Sequence, residues 1–262
     1  MSDMLFNNTF NNNTAHISIE KIASNKIYSY PSFSQVLEIS SKMWILFIIG
    51  HFSIGFFIMY KDLKGSWEKY KLVQEDKKTN KLHKYYLCIP YLIRDLLFLL
   101  PIFLSIYVFY SFDFIKSNFE FSELLIEFFI KFPLAYIIRN IWDMLVHRLW
   151  HQIPFLYNHV HKEHHINIRE MCSLSAWRDS WLEFIFEIPG TFLIGPFFMK
   201  MNWISHALLI SSMGFISSID HSGFYVNYFI DSRYHFNHHN KPNSNFADIK
   251  ILDNFFGAKL HE

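Results

Sequence analysis

MWILFIIGHFSIGFFIMY, residues 43–60, is an apolar run close to the roughly 20 residues that a helix needs to cross the hydrocarbon core of a bilayer. Composition agrees with that reading. Of 262 residues, 51% are hydrophobic and 19% aromatic, and the charged share is 18%, against roughly 25% in soluble proteins. With 24 basic and 23 acidic side chains the formal charge is +1, so the global attraction that nucleic acid requires is absent, and nucleic acid is excluded as a partner. Cys88 and Cys172 stand far apart near apolar stretches, which fits neither a disulfide framework nor a CxxC zinc site.

Working outward, residues 85–110 form a longer apolar run interrupted by Arg94, Asp95 and Pro101. The crossing is expected between Leu96 and Tyr110, with the charged pair at the interface. Residues 121–146 carry scattered Glu123, Glu127, Lys131 and Arg139, which suits a third span with one face turned into a bundle. Residues 181–199 and 201–219 are apolar, with Pro189, Gly190, Gly195 and Pro196 breaking the first, and read as a hairpin or re-entrant pair. Residues 1–30 are polar and Asn-rich, without the basic and apolar regions of a cleavable signal peptide, and read as a mobile tail before one membrane-embedded domain at 31–262. The expected fold is all-α: a membrane bundle of about four spans, counting the pair, under a histidine-rich cap.

Charge sets the expected sides. The loop 61–84 holds eight lysines, whereas the stretch from Asp113 to Ser122 holds only Lys116, so the first loop is expected in the cytosol. Two further crossings return the chain, which places His147 and everything after Ile219 on the cytosolic side and the N-terminus opposite. The sequons at Asn7 and Asn12 agree, although an Asn-rich tail generates sequons by chance.

Ten of the 15 histidines fall in two windows, 147–165 and 221–239. His147 and His151 in HRLWH are four apart, within reach of one ion on a helix. His161, His164 and His165 in HKEHH combine i, i+3 and i+4 spacing, so all three can project from one face. His235, His238 and His239 in HFNHH repeat the arrangement, and His221 in DHSGF stands alone. An isolated HxxxH is more often surface or capping histidine, but two HxxHH sets in one chain are improbable by accident. Nine imidazoles at one membrane face suit two metal ions with positions left for dioxygen and water, while imidazole alone does not choose among iron, copper, nickel and zinc. His159 lies about 200° around a helix from His161 and reads as structural, as do His16, His51, His83, His206 and His261. Asp143, Glu163, Asp220 and Asp231 are candidates to hold the second nitrogen of a ligating ring.

The order HRLWH, HKEHH, DHSGF, HFNHH, NFADIKILDNFFG resembles the fatty acid hydroxylase and sterol desaturase superfamily, and within it the methylsterol monooxygenases and cholesterol 25-hydroxylase-like proteins. The resemblance covers most of the chain from Pro31. It implies a cytosol-facing di-iron centre over a four-helix stem in the endoplasmic reticulum membrane, fed by NAD(P)H through cytochrome b5 or a reductase. Its ligands would be His147, His151, His161, His164, His165, His221, His235, His238 and His239. The chain departs at Asp143, where methylsterol monooxygenases have a histidine, at AWRDSWLE, where they have an AHPLE-like stretch, and at Tyr234, where a histidine often precedes the last box.

Attacking an unactivated C–H bond requires a redox metal and dioxygen, so the expected activity is a di-iron monooxygenase acting on a membrane lipid, a sterol first. Hydroxylation and desaturation share one ligand set. The open alternatives are a fatty acyl or sphingolipid hydroxylase or desaturase, a metal transporter, and a non-catalytic metal-binding scaffold. Histidines placed after the spans rather than within them disfavour transport.

Overall fold

The computed structural model describes residues 30–72, 80–115, 121–165, 168–226 and 231–258. The Asn-rich tail with its sequons and His16, the loop lysines Lys77 and Lys78, Lys116 and His261 lie outside the described residues.

Helix α1 (Phe33–Leu63) opens on a capping box: the Gln35 amide donates to Ser32 Oγ, and the Ser32 amide donates to Gln35 Oε1 at 2.9 Å. Helix α2 (Lys81–Ile115) runs unbroken through Pro101. Proline lacks the N–H of a regular turn and crowds the carbonyl four residues back; the wider π-helical stretch Ile93–Leu99 just before it absorbs both defects. Helix α3 covers residues 121–152 with a similar stretch at Glu127–Lys131, and carries the first histidine box on its last turns. A short α4 (residues 154–161) follows. The expected hairpin forms as two helices, α5 (Trp181–Met199) and α6 (Trp203–Asp220). Pro189 does not break α5 but opens its π-helical middle, and the turn is made by Lys200 in the left-handed region and by Asn202, which accepts from Ser205 N at 3.0 Å. Helices α7 (Ser232–Asn240) and α8 (Lys250–Phe255) complete the cap. One β bridge joins Lys71 to Phe224.

The protein is an all-α membrane protein. Three helices, α1, α2 and α5, are long and apolar enough to cross a bilayer. The third span expected from sequence, 121–146, is helical and two-faced as expected: Glu127, Arg139 and Asn140 are buried in the bundle, while Ile126, Phe129, Ile130, Leu134 and Ile137 are exposed on the other face. Small residues allow close packing. A Cβ on Gly195 of α5 would stand 2.3 Å from the Ala135 carbonyl oxygen of α3, so these backbones touch there. Helix α6 lies along α1, with Gly214 against Phe47. Trp44 of α1 donates to the Leu96 carbonyl of α2 at 2.6 Å.

The two ends of the bundle differ. At one, the basic loop after α1 pairs with the strand-like stretch after α6, through Leu72 N to Gly223 O at 2.9 Å and Tyr225 N to Tyr70 O at 2.7 Å. At the other, the start of α3 meets the α5–α6 turn, where Asn202 N donates to Glu127 at 3.0 Å and Lys131 Nζ donates to Lys200 O at 3.1 Å. The loop after α1, the end of α3 and the segment after α6 therefore share one end, as the crossing parity predicts.

Candidate metal centre

The nine predicted histidines converge on that end and fall into two groups: His147, His151, His161, His165 and His238, and His164, His221, His235 and His239. Within each group the donor nitrogens lie within 4.8 Å of one another. His147 and His151 come from one face of α3, as their spacing predicts. The other two boxes behave differently. Both were expected to present three rings to one side, and each is split between the groups. In HKEHH the helix ends at His161, so His164 and His165 sit in a turn and face opposite groups. In HFNHH the i, i+4 pair His235 and His239 shares the second group, while His238, rotated by about 100° per residue, serves the first.

Second nitrogens fix the tautomers. The Nδ1 of His147 donates to Phe246 O at 3.2 Å, that of His221 to Ser217 O at 3.1 Å, and that of His238 to Ser244 O at 2.7 Å. Each such ring then presents Nε2 as a lone pair. His221 Nε2 faces His164 Nε2 at 3.1 Å and His235 Nε2 at 3.0 Å, and His238 Nε2 faces His165 Nε2 at 3.1 Å. The buried Nε2 atoms of His147 and His151 have no hydrogen-bond partner among the described residues. Converging lone pairs in a buried site repel unless a cation lies between them. Spacings near 3.0 Å are short enough for nitrogens that share one ion, so the residues of each group fit a bound metal.

Burial, the largest cause, holds His161, His164, His235, His238 and His239 well below the usual imidazole range, and the neighbouring rings add to it; His165 is pushed down to about 3. All six stay neutral, the form that binds metal.

None of the four candidate carboxylates holds a ligand ring. Asp143 accepts from Thr191 at 3.4 Å, Glu163 from Tyr91, and Asp231 caps α7 and pairs with Lys250 at 3.0 Å. No described residue hydrogen-bonds the Asp220 carboxylate. The partner that sequence reasoning missed is Glu183, which accepts from His161 Nδ1 at 2.8 Å. It closes AWRDSWLE, the stretch noted in the sequence as a departure, where its identity as a ring partner had no spacing signal. The motif NFADIKILDNFFG is scaffold: Asp253 accepts from the amides of Phe246 and Ala247 and from the Tyr234 hydroxyl, which fixes the carbonyl that holds His147. Tyr234 thereby has a structural task.

Of the histidines expected to be structural, the described ones, His51, His83, His159 and His206, stay outside both groups. His159 is exposed and bonds Phe155 O at 2.9 Å. His51 accepts from Trp177 Nε1 at 3.1 Å, and its Nδ1 donates to Gly214 O at 3.1 Å. His206 bonds Phe192 O at 3.0 Å, which joins α6 to α5.

A cavity of about 80 Å³ opens on His147, His161, His164, His221 and His235 and continues between Arg139, Asp143, Glu183, Glu187, Asp220 and Asp248. It is the place where a reacting group can approach both sets of rings.

Residues 132–258 match the family model for the fatty acid hydroxylases. No curated protein and no solved structure matches the chain. The matched segment begins in α3 and contains all nine converging histidines, Glu183 and the Asp253 scaffold, and residues 132–258 belong by that match to the fatty acid hydroxylase and sterol desaturase superfamily of membrane lipid hydroxylases and desaturases.

Proposed function

We propose that the chain is a membrane-bound di-iron oxygenase that hydroxylates a lipid C–H bond, with a sterol as the first substrate to test. The observation that carries this reading is the sorting of nine neutral imidazoles into sets of five and four, with lone pairs facing at 3.0–3.1 Å. His147, His151, His161, His165 and His238 would hold one ion, and His164, His221, His235 and His239 the other. Iron held there would supply the oxidising power that no side chain has, with dioxygen as the oxidant.

The chain's own residues do the rest. The carbonyls of Phe246, Ser217 and Ser244 and the carboxylate of Glu183 keep Nε2 aimed inward. Helices α5 and α6 form one wall of the cavity, and the apolar side chains Trp150, Met213, Ile216 and Phe246 line it beside the rings. Lipid reaches it from the bilayer side of the bundle. The basic loop at the same end supports a cytosolic face in the endoplasmic reticulum membrane, where cytochrome b5 or a reductase could deliver electrons from NAD(P)H. Residues 31–262 act as one domain in this reading.

The test is iron content after anaerobic purification, wild type beside His164→Ala, followed by product analysis in sterol-fed cells. About two irons per chain, fewer in the variant, and an oxidised sterol that needs His164 support the proposal. Tightly held zinc, or metal content that ignores the substitution, sinks it. Iron without a sterol product moves the substrate to a fatty acyl or sphingoid chain.

A further inference from the structure

The cavity next to the histidines holds an excess of acid, of which Glu183 and Asp220 are buried and Asp143, Glu187 and Asp248 half-buried. Asp143, Glu183, Glu187, Asp220 and Asp248 line it together with a single cation, Arg139. That guanidinium is committed: it donates to Asp248 and lies 3.8 Å from Asp143. Glu183 Oε1 is taken by His161, while its buried Oε2 has no partner among the described residues. Asp220 keeps only 7% of its surface, lines the cavity, and its carboxylate is bonded by no described residue. Glu187 likewise faces the cavity without a hydrogen bond from any described residue.

Burying a carboxylate without a partner costs several kcal/mol, so an acid in such an arrangement either takes up a proton or stays ionised beside a positive charge that the side chains do not provide. The nine imidazoles are neutral and bring none. With all five ionised, the carboxylates would outnumber the guanidinium by four charges, as many as two divalent cations carry. Those cations would sit between histidines that open on the same cavity.

We infer that Asp220 and Glu187, with Asp143, Glu183 and Asp248, are the counter-charge of the metal centre: they do not ligate, and they set how tightly a fully neutral ligand set holds two dications. This rests on the two-metal reading above. It also explains why the acids surround the rings on the bundle side, where water cannot screen the ions.

The test is metal affinity, which does not depend on turnover. Purified protein in micelles, stripped with a chelator, is titrated with Co²⁺ against a chromophoric competitor at fixed pH, as wild type, Asp220→Asn and Glu187→Gln. The expected result is two ions bound and one Co²⁺ absorption spectrum in all three, with affinity about tenfold weaker or more in each variant. The metal-free variants should unfold at the wild-type temperature or above it, because an amide of the same shape replaces a carboxyl that without metal is protonated or uncompensated; a merely structural carboxylate would give the opposite sign. Glu187→Gln carries the test alone if Asp220→Asn fails to fold. Variants with wild-type affinity overturn the inference, and so do variants that lose one ion or alter the spectrum, since those would be ligands. Wild type that takes up no Co²⁺ fails earlier, at the two-metal reading itself.

Discussion

Glu183 orients a ligand ring through one hydrogen bond, 2.8 Å to His161 Nδ1, and also brings charge; its position 22 residues downstream in sequence explains why spacing could not find it. Replacing it separates orientation from charge. In Glu183→Leu the His161 N–H loses its acceptor and the ring its aim, so metal affinity should fall by about 10–100-fold. Glu183→Gln keeps an acceptor oxygen of the same shape and should fall less. His159→Ala, two residues from His161 but exposed and bonded only to Phe155 O, should leave metal binding unchanged. Chelator competition on the three variants checks the order; equal losses in Leu and Gln would mean that the hydrogen bond does not orient the ring.

Elements decide which histidine serves which group, and here local geometry overrides the spacing rule. Because α4 ends at His161, the next three residues leave helical register, and neighbours in sequence, His164 and His165, enter different groups. His165→Ala should therefore weaken one ion and His239→Ala the other, each lowering iron from about two to about one per chain, whereas the double variant should lose both. Loss of both ions in either single variant would show that the groups are one site. The helical boxes were legible in the residues: HRLWH is presented as a 3.6-residue period requires, and α7 is a helix as HFNHH suggests. What the sequence could not show was where α4 stops, since no glycine or proline marks it, nor that Pro189 and Pro101 would ride on wider turns instead of ending their helices. The charged pair in the second run was legible as a pair, Arg94 Nε to Asp95 Oδ1 at 2.6 Å, but not its continuation to Asp179 ahead of α5 at 3.0 Å.

On the scale of the whole molecule, the metal centre makes stability depend on pH, and the sign follows from the neutral rings. His161, His164, His165, His235, His238 and His239 have folded-state values depressed below the ordinary 6.5, so below about pH 6.5 the unfolded chain binds protons that the fold refuses. Their contribution is intact above that pH and is lost as pH falls, by up to about 1.4 kcal/mol per pH unit for each ring. Thermal unfolding of chelator-treated protein between pH 5 and 8 should show a falling midpoint below about 6.5, and a flat profile would mean that the rings are exposed without metal. The second whole-molecule consequence is sidedness. The bundle joins the basic loop and the histidines at one end and the α5–α6 turn at the other, so a membrane must separate Lys162 and Lys241 from Lys200, all three of them exposed. Single cysteines at these positions can be probed without removing the native pair, because Cys88 and Cys172 are 1% and 0% exposed. In sealed vesicles with the cytosolic face outward, a membrane-impermeant maleimide should label Lys162→Cys and Lys241→Cys at once, and Lys200→Cys only after detergent. The reverse pattern would put the histidines in the lumen, out of reach of a cytosolic electron donor. Equal labelling at all three sites would mean that the α5–α6 pair does not reach the far side and that the bundle enters only one leaflet.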